Sequence, residues 1–207
     1  GSYCTPKGRM LASFFLVRLP DRFLMLLSTS LAAAIHKRLN MFVLRSKVTI
    51  NDITDTRALL GLSSRTDASI LEKARGDCAA SPETVTVALG SKRLMVFSPT
   101  ENAPQLWQRL STYLRPVGTG CWEWLDIQEG LPLITAATQD QLVPQMANLE
   151  LIGGVSFKKG CYPGQEIVAR TQYLGKVKRR MFRAHLEVPA NPGESLYSDD
   201  LGDQASG

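Results

Sequence analysis

Two stretches of this sequence carry the same succession of local signals: a pair of apolar runs broken by a turn, then apolar residues at helical spacing. That order limits the fold more than any other feature. A β-β-α unit buries its apolar faces most simply as an antiparallel hairpin with a helix laid across it. In the first stretch, residues 9–19 and 22–28 read as strands joined at Pro20-Asp21. Leu31, Ala34, Ile35, Leu39, Phe42 and Val43 then form one helical stripe, with Ser30 as N-cap and Lys37 and Arg38 on the other face. In the second stretch, residues 84–89 and 93–97 join around Gly90-Ser91, and residues 102–114 are amphipathic through Leu106, Trp107, Leu110 and Leu114. Between the two, residues 48–51 and 57–62 read as short strands, and a helix capped by Thr66 or Asp67 runs to Arg75, where Gly76 ends it. The expected class is α+β, with helices packed on antiparallel sheet.

Residues 116–120 form a breaker-rich joint. Beyond it Trp122, Leu125 and Glu129 share one helical side, ended by Gly130-Leu131-Pro132. Residues 138–148 are polar and read as loop. Leu149, Leu151, Val155 and Phe157 alternate around Gly153-Gly154, which fits a strand with a bulge. Residues 176–188 read as a long basic strand that begins a β domain.

With 207 residues, 44% of them hydrophobic, the chain has ample material for a core. The longest apolar runs, 11–17 and 23–27, are bracketed by charges and far short of the ~20 residues of a membrane span. No signal peptide is visible, although the chain starts at Gly1-Ser2 without methionine. Cys4, Cys78, Cys121 and Cys161 lie far apart, with only His36 and His185 as imidazole partners, so no metal site is expected. Reduced thiols in a cytoplasmic compartment are the simpler expectation for a chain with a normal core. The net charge of +5 suits an anionic small molecule, a polyanionic tail or RNA without choosing among them.

The run Lys158-Lys159-Gly160-Cys161-Tyr162-Pro163-Gly164-Gln165-Glu166 carries the chemistry. Pro163-Gly164 suits the central positions of a type II turn, and a helix can start at Gln165 with Glu166 near its positive end. Cys161 then lies just ahead of that helix and beside Lys158 or Lys159, a setting that favours a reactive thiolate.

From Lys159 to Glu166 this run closely resembles the signature of the YgfZ-type folate-binding proteins, relatives of the glycine-cleavage T-protein and of a mitochondrial iron-sulfur assembly factor. Tyr3-Cys4-Thr5-Pro6-Lys7-Gly8-Arg9, Phe42-Val43-Leu44-Arg45-Ser46-Lys47-Val48 and Gly153-Gly154-Val155-Ser156-Phe157 support the resemblance, which spans essentially the whole chain. The family extends further at both ends. The resemblance implies aminomethyltransferase-like α+β modules at 1–115 and 116–171, interlocked around a folate site, then an incomplete β-barrel domain at 172–207. It implies tetrahydrofolate or a derivative as cofactor, with Trp122, Tyr162, Gln165 and Glu166 as binding residues and Cys161 and Lys159 as the catalytic pair.

By the same resemblance, the T-protein segment matching Gly8 to Ser13 ends in acidic residues, one of which assists methylene transfer; Ala12 and Ser13 stand here instead. Glycine-cleavage activity is therefore not expected. The implied role is an accessory protein for iron-sulfur cluster assembly or repair and iron-sulfur-dependent tRNA modification. Its partners would be folate and iron-sulfur enzymes or assembly proteins, with no membrane. A folate-dependent one-carbon transferase with an unknown acceptor is the alternative, and direct RNA binding through the basic strand and helix is a third reading. The residues alone read Cys4, Cys78 and Cys121 as structural, Trp107, Trp122 and Trp124 as core aromatics, and Lys37, Arg38, Arg45 and Lys47 as a solvated basic face or a seat for a folate polyglutamate tail.

Overall fold

A computed structural model describes every residue except 66, 176, 178, 200, 201, 206 and 207. The chain is mixed α and β and divides into two compact units, Gly1–Val48 with Asp126–Gly207, and Thr49–Leu125. The division falls inside the helix Thr119–Glu129.

In the first unit, β1 (Ser2–Cys4), β2 (Met10–Arg18) and β3 (Phe23–Leu27) form an antiparallel sheet in that order. The expected hairpin forms, with Phe14 opposite Leu27 and Arg18 opposite Phe23. β2 changes partners along its length: residues 10–13 pair with β1 and 14–18 with β3. A loop occupies part of the edge so exposed, where the Met10 N–H donates to Leu142 O at 2.8 Å and the Asp140 N–H to Met10 O at 2.8 Å. Helix α1 (Thr29–Asn40) follows, with Leu31 and Ile35 buried. Its N-cap is Ser28, not Ser30, and it stops at Asn40, leaving Phe42 and Val43 in the turns beyond. Cys4, Met10, Ala12, Leu31, Ile35, Ile134, Ala147 and Leu149 make one core.

The second unit is built on a sheet in the order β4 (Arg57–Ser63), β6 (Arg93–Pro99), β5 (Val85–Leu89). Every residue of β6 is buried, because both of its faces are covered. Leu94 and Val96 face a core with Leu71, Ala74 and Cys78 of α2 (Ala68–Ala79) and Leu106 and Leu110 of α3 (Ala103–Leu110). On the other face Trp122, from α4 (Thr119–Glu129), lies against Gly61 and Arg93. Asp67 caps α2, its Oδ1 accepting the Ser69 N–H at 2.8 Å; Thr66 lies outside the described residues. α2 runs through Gly76 to Ala79, and α3 is shorter than its apolar stripe suggested. Trp107 is not core: it is 45% exposed.

Three expected strands are not formed among the described residues. Residues 149–157 fold as turns, with Leu151 exposed and Gly153 at φ 72°, so the alternation of apolar residues is not a strand pattern. The described residues of 176–188 are irregular, as are 48–51. A strand needs a neighbour for its N–H and C=O groups. The main-chain bond of Met181 to Met146 O, at 2.7 Å, goes instead to the turn-rich loop. Lys176 and Lys178 lie outside the described residues. Among the described residues of 172–207, β pairing is limited to an isolated bridge between Tyr197 and Ala205.

Candidate functional site

The Cys161 run opens helix α5 (Gln165–Tyr173) through the expected type II turn. Pro163 holds the first central position and Gly164 the second, at φ 83° and ψ 0°, and the Gln165 N–H closes the turn on Tyr162 O at 3.1 Å. The Gln165 side chain reaches back, its Oε1 accepting the Tyr162 N–H at 3.3 Å. Glu166 is exposed in the first turn of α5.

This turn is locked against a second one. Thr5 to Gly8 form a β-turn with Pro6 in its second position, closed by the Gly8 N–H on Thr5 O at 2.9 Å; Gly8 has φ 73°. A Cβ on Gly164 would lie 2.4 Å from Thr5 O and 2.8 Å from Gly8 Cα. A Cβ on Gly8 would lie 3.0 Å from Ile167 Cβ in α5. The two glycines therefore let two backbones touch, and that contact joins the segment Tyr3 to Arg9 to the cysteine run. Arg9 extends the lock by donating from Nη1 to Asp140 O and Gln141 O, at 3.2 and 3.0 Å.

From below, α5 is held by Gln145, which is fully buried and donates from Nε2 to Val168 O at 2.7 Å. Arg180 ties the loop around Gln145 together. Its Nη1 donates to Asn148 Oδ1 at 3.0 Å and to Glu150 Oε1 at 2.6 Å. Residues 138–148 are thus a loop, as expected, but one that buries Pro144, Gln145 and Ala147 and, through Gln145, forms the platform under α5. Gln145 was missed because its partner lies 23 residues away. Tyr173, at the far end of α5, meets Phe157 edge-on with ring centroids 5.8 Å apart.

On this frame Cys161 is an exposed, free thiol. Lys159 is also exposed and lies over the Tyr162 ring, with Nζ 4.2 Å from its centroid. Cys4, at the end of β1, approaches the same residues. Burial pushes its thiol pKa up, while a contact with the Ser2 hydroxyl and the charge of Lys159 partly offset that rise. Burial also raises the Tyr162 phenol, helped by Cys4. The structure thus brings Lys159, Tyr162 and Gln165 together and adds Cys4, while Cys161 stands exposed between them in sequence and Glu166 is exposed in the first turn of α5.

Trp122 belongs to the second unit. Its indole is half-buried, with the Arg93 guanidinium 3.9 Å from the ring centroid and Gly61 leaving room for the ring edge, since a Cβ there would lie 2.2 Å from it. Next to Trp122 along α4, Gly120, Cys121, Trp124 and Leu125 join Ser63 and Arg65 around an open concavity of about 440 Å³. Trp124 and Cys121 are exposed there, in contrast to the core and structural roles expected of them. At Ala12 and Ser13 the chain is buried and carries no carboxylate; Ser13 Oγ donates to Pro132 O at 3.0 Å and accepts the Ile134 N–H at 2.9 Å. No cluster of three or more potential metal ligands occurs among the described residues. No helix among them is long and apolar enough to cross a membrane.

No family model matches the chain. It is similar to the tRNA-modifying protein YgfZ of Colwellia psychrerythraea, 35% identical over 217 aligned positions that cover 97% of this chain and 63% of that protein. Along nearly its whole length the chain resembles proteins of the YgfZ type. Proteins of the same name from Cronobacter sakazakii and Hamiltonella defensa are each 32% identical to it, over 94% and 88% of this chain. The chain spans about three-fifths of the length of these YgfZ relatives, covering 63%, 62% and 57% of them.

Proposed function

We propose that this YgfZ-type chain is a tetrahydrofolate-binding accessory protein for tRNA modification, acting in the cytoplasm, with Cys161 as its reactive thiol. The observation that carries the reading is the build of the cysteine turn. An exposed thiol precedes a helix whose entry is fixed by Gly164 against Gly8 and whose underside is fixed by Gln145. A side chain with a task in chemistry is held in this way, on elements whose own positions are locked. The names of the relatives support the choice of tRNA as the product pathway.

For folate, the donor set in the second unit is suitable. The concavity beside α4 is within the usual size range of small-molecule sites, ~300–1,000 Å³. Trp124 offers an aromatic face and Arg65 a cation for a carboxylate, while Trp122 backs the helix against the sheet. Bound tetrahydrofolate would supply a reduced pterin or a one-carbon unit. A thiolate is a soft ligand and a nucleophile, so Cys161 suits transient contact with an iron-sulfur cluster passing to a client enzyme that thiomethylates tRNA. The absence of a carboxylate at Ala12 and Ser13, and the use of Ser13 as a hydrogen-bond bridge, favour this role over one-carbon transfer.

The test is a tryptophan fluorescence titration with tetrahydrofolate, run beside tRNA analysis of cells carrying the same variants. Trp124→Ala should weaken folate about tenfold, since aromatic contacts add ~0.5–1.5 kcal/mol to the burial they bring. Cys161→Ala should leave folate binding intact and abolish tRNA modification. Full modification by Cys161→Ala, or no folate binding by the unaltered chain, would overturn the proposal.

A further inference from the structure

Between Asp21 and Asp52 the sequence holds no acidic residue, yet it carries Arg22, Lys37, Arg38, Arg45 and Lys47. Lys37 and Arg38 lie in the last turn of α1. Beyond it the backbone folds as successive short turns, with Phe42 N–H to Leu39 O at 3.0 Å, Ser46 N–H to Val43 O at 2.9 Å and Val48 N–H to Ser46 O at 2.9 Å. Leu44 sits at φ 47°, a left-handed conformation that a leucine rarely adopts. Such strain persists only where the surrounding structure imposes it, and it is found preferentially at functional segments.

The turns hold large apolar side chains in water. Met41, Phe42, Leu44 and Val48 are 58%, 62%, 85% and 58% exposed. Leu44, Arg45 and Ser46 line an open depression of about 580 Å³. Lys37, Arg45 and Lys47 are exposed and pair with no carboxylate among the described residues. Arg38 is held differently, donating from Nε to the Tyr3 hydroxyl at 3.2 Å.

We infer that this turn, with the end of α1, is a contact surface for single-stranded RNA. The choice of RNA among polyanions rests on the tRNA-modification reading above. Single strands are bound by cations that follow the phosphates and by exposed rings on which unstacked bases lie. Phe42 is the exposed ring, and Lys37, Arg45 and Lys47 are the unpaired cations. A lipid surface is the poorer match. It calls for an apolar face separated from a cationic one, whereas here Arg45 and Lys47 fall between Leu44 and Val48 along one short turn.

The magnitude follows from the three unpaired cations. Each phosphate neutralised on a single strand contributes ~0.7 to the slope of log affinity against log salt, so the slope should be about 2. Affinity should then fall roughly twentyfold between 50 and 200 mM salt. The experiment is fluorescence anisotropy of the full chain with labelled oligouridine, compared with duplex RNA and with sedimentation on phosphatidylserine vesicles. Arg45→Gln with Lys47→Gln should reduce that salt effect to about threefold, and Phe42→Ser should weaken binding about tenfold. All three residues are exposed, so the fold should tolerate the changes. Unchanged affinity in both variants, or tighter binding to duplex or vesicles than to oligouridine, would overturn the inference. Cys161→Ala should bind oligouridine like the unaltered chain. Loss of the Cys161 reading therefore shows in tRNA modification alone, and loss of this inference shows in binding alone.

Discussion

Gly164→Ala tests the frame of the site. Gly164 has φ 83°, and a methyl group there would lie 2.4 Å from Thr5 O, 2.8 Å from Gly8 Cα and 2.9 Å from Gly8 N. Two costs add. Placing an L-residue in the left-handed region costs ~1–2 kcal/mol, and forcing the neighbouring backbone away is an overpacking cost of ~1–3 kcal/mol. The sum, about 2 to 5 kcal/mol, falls on the first unit, which contains both turns. Tryptophan fluorescence does not report it, because Trp107, Trp122 and Trp124 all belong to the second unit. Cys4 does, since it is 6% exposed in the core of the first unit, and Cys78, 1% exposed in the second, is the internal control. Pulsed alkylation followed by peptide mass spectrometry measures both. A loss of 2 kcal/mol corresponds to about a thirtyfold rise in the open fraction, at tenfold per ~1.4 kcal/mol. Cys4 should label at least that much faster in Gly164→Ala, with Cys78 unchanged. A Cys4 rate within threefold of the unaltered chain would refute the contact between the two turns.

Gly76→Ala should have the opposite sign: Gly76 lies inside α2 with nothing within 4 Å of an added Cβ, so a gain of ~0.5–1 kcal/mol is expected in urea unfolding followed by tryptophan fluorescence. Arg180→Met leaves the Glu150 carboxylate, 7% exposed, without its cation. The cost should be about 2 kcal/mol, below the ~3–5 kcal/mol of a fully buried pair because Arg180 is 35% exposed, and Glu150→Gln should recover part of it in thermal melts. Burial pushes the Cys78 thiol from 9.0 up to about 11. Between those values the unfolded chain has lost the proton that the folded chain keeps, so the second unit should lose stability as pH rises through that window, and Cys78→Ala should flatten the dependence.

What the sequence revealed depended on how local the deciding interaction is. Pro163-Gly164 and Pro20-Asp21 set their turns within a few residues, and Asp67 caps α2 two residues on, so all three were readable. Cys161 was likewise placed ahead of a helix by its own neighbours. Gln145 was not readable, because its burial is decided by Val168 O in a distant helix. Residues 149–157 carried a strand's alternation but have no partner strand, and the Gly154 N–H instead closes a turn on Leu149 O at 2.7 Å. Trp124 and Trp107 read as core in sequence because large aromatics are highly buried on average. Only the folded helices show that they face water. Cys4 carried no charged neighbour in sequence that singled it out, and its nearness to Lys159 and Tyr162 arises only when the two turns meet.

The action of Cys161 in tRNA modification is measured by quantifying thiomethylated nucleosides in tRNA from a host lacking its own YgfZ-type protein and supplied with this one. The unaltered protein should restore them, and Cys161→Ala should leave them at the deletion level despite equal protein abundance. Full restoration by Cys161→Ala would contradict the account.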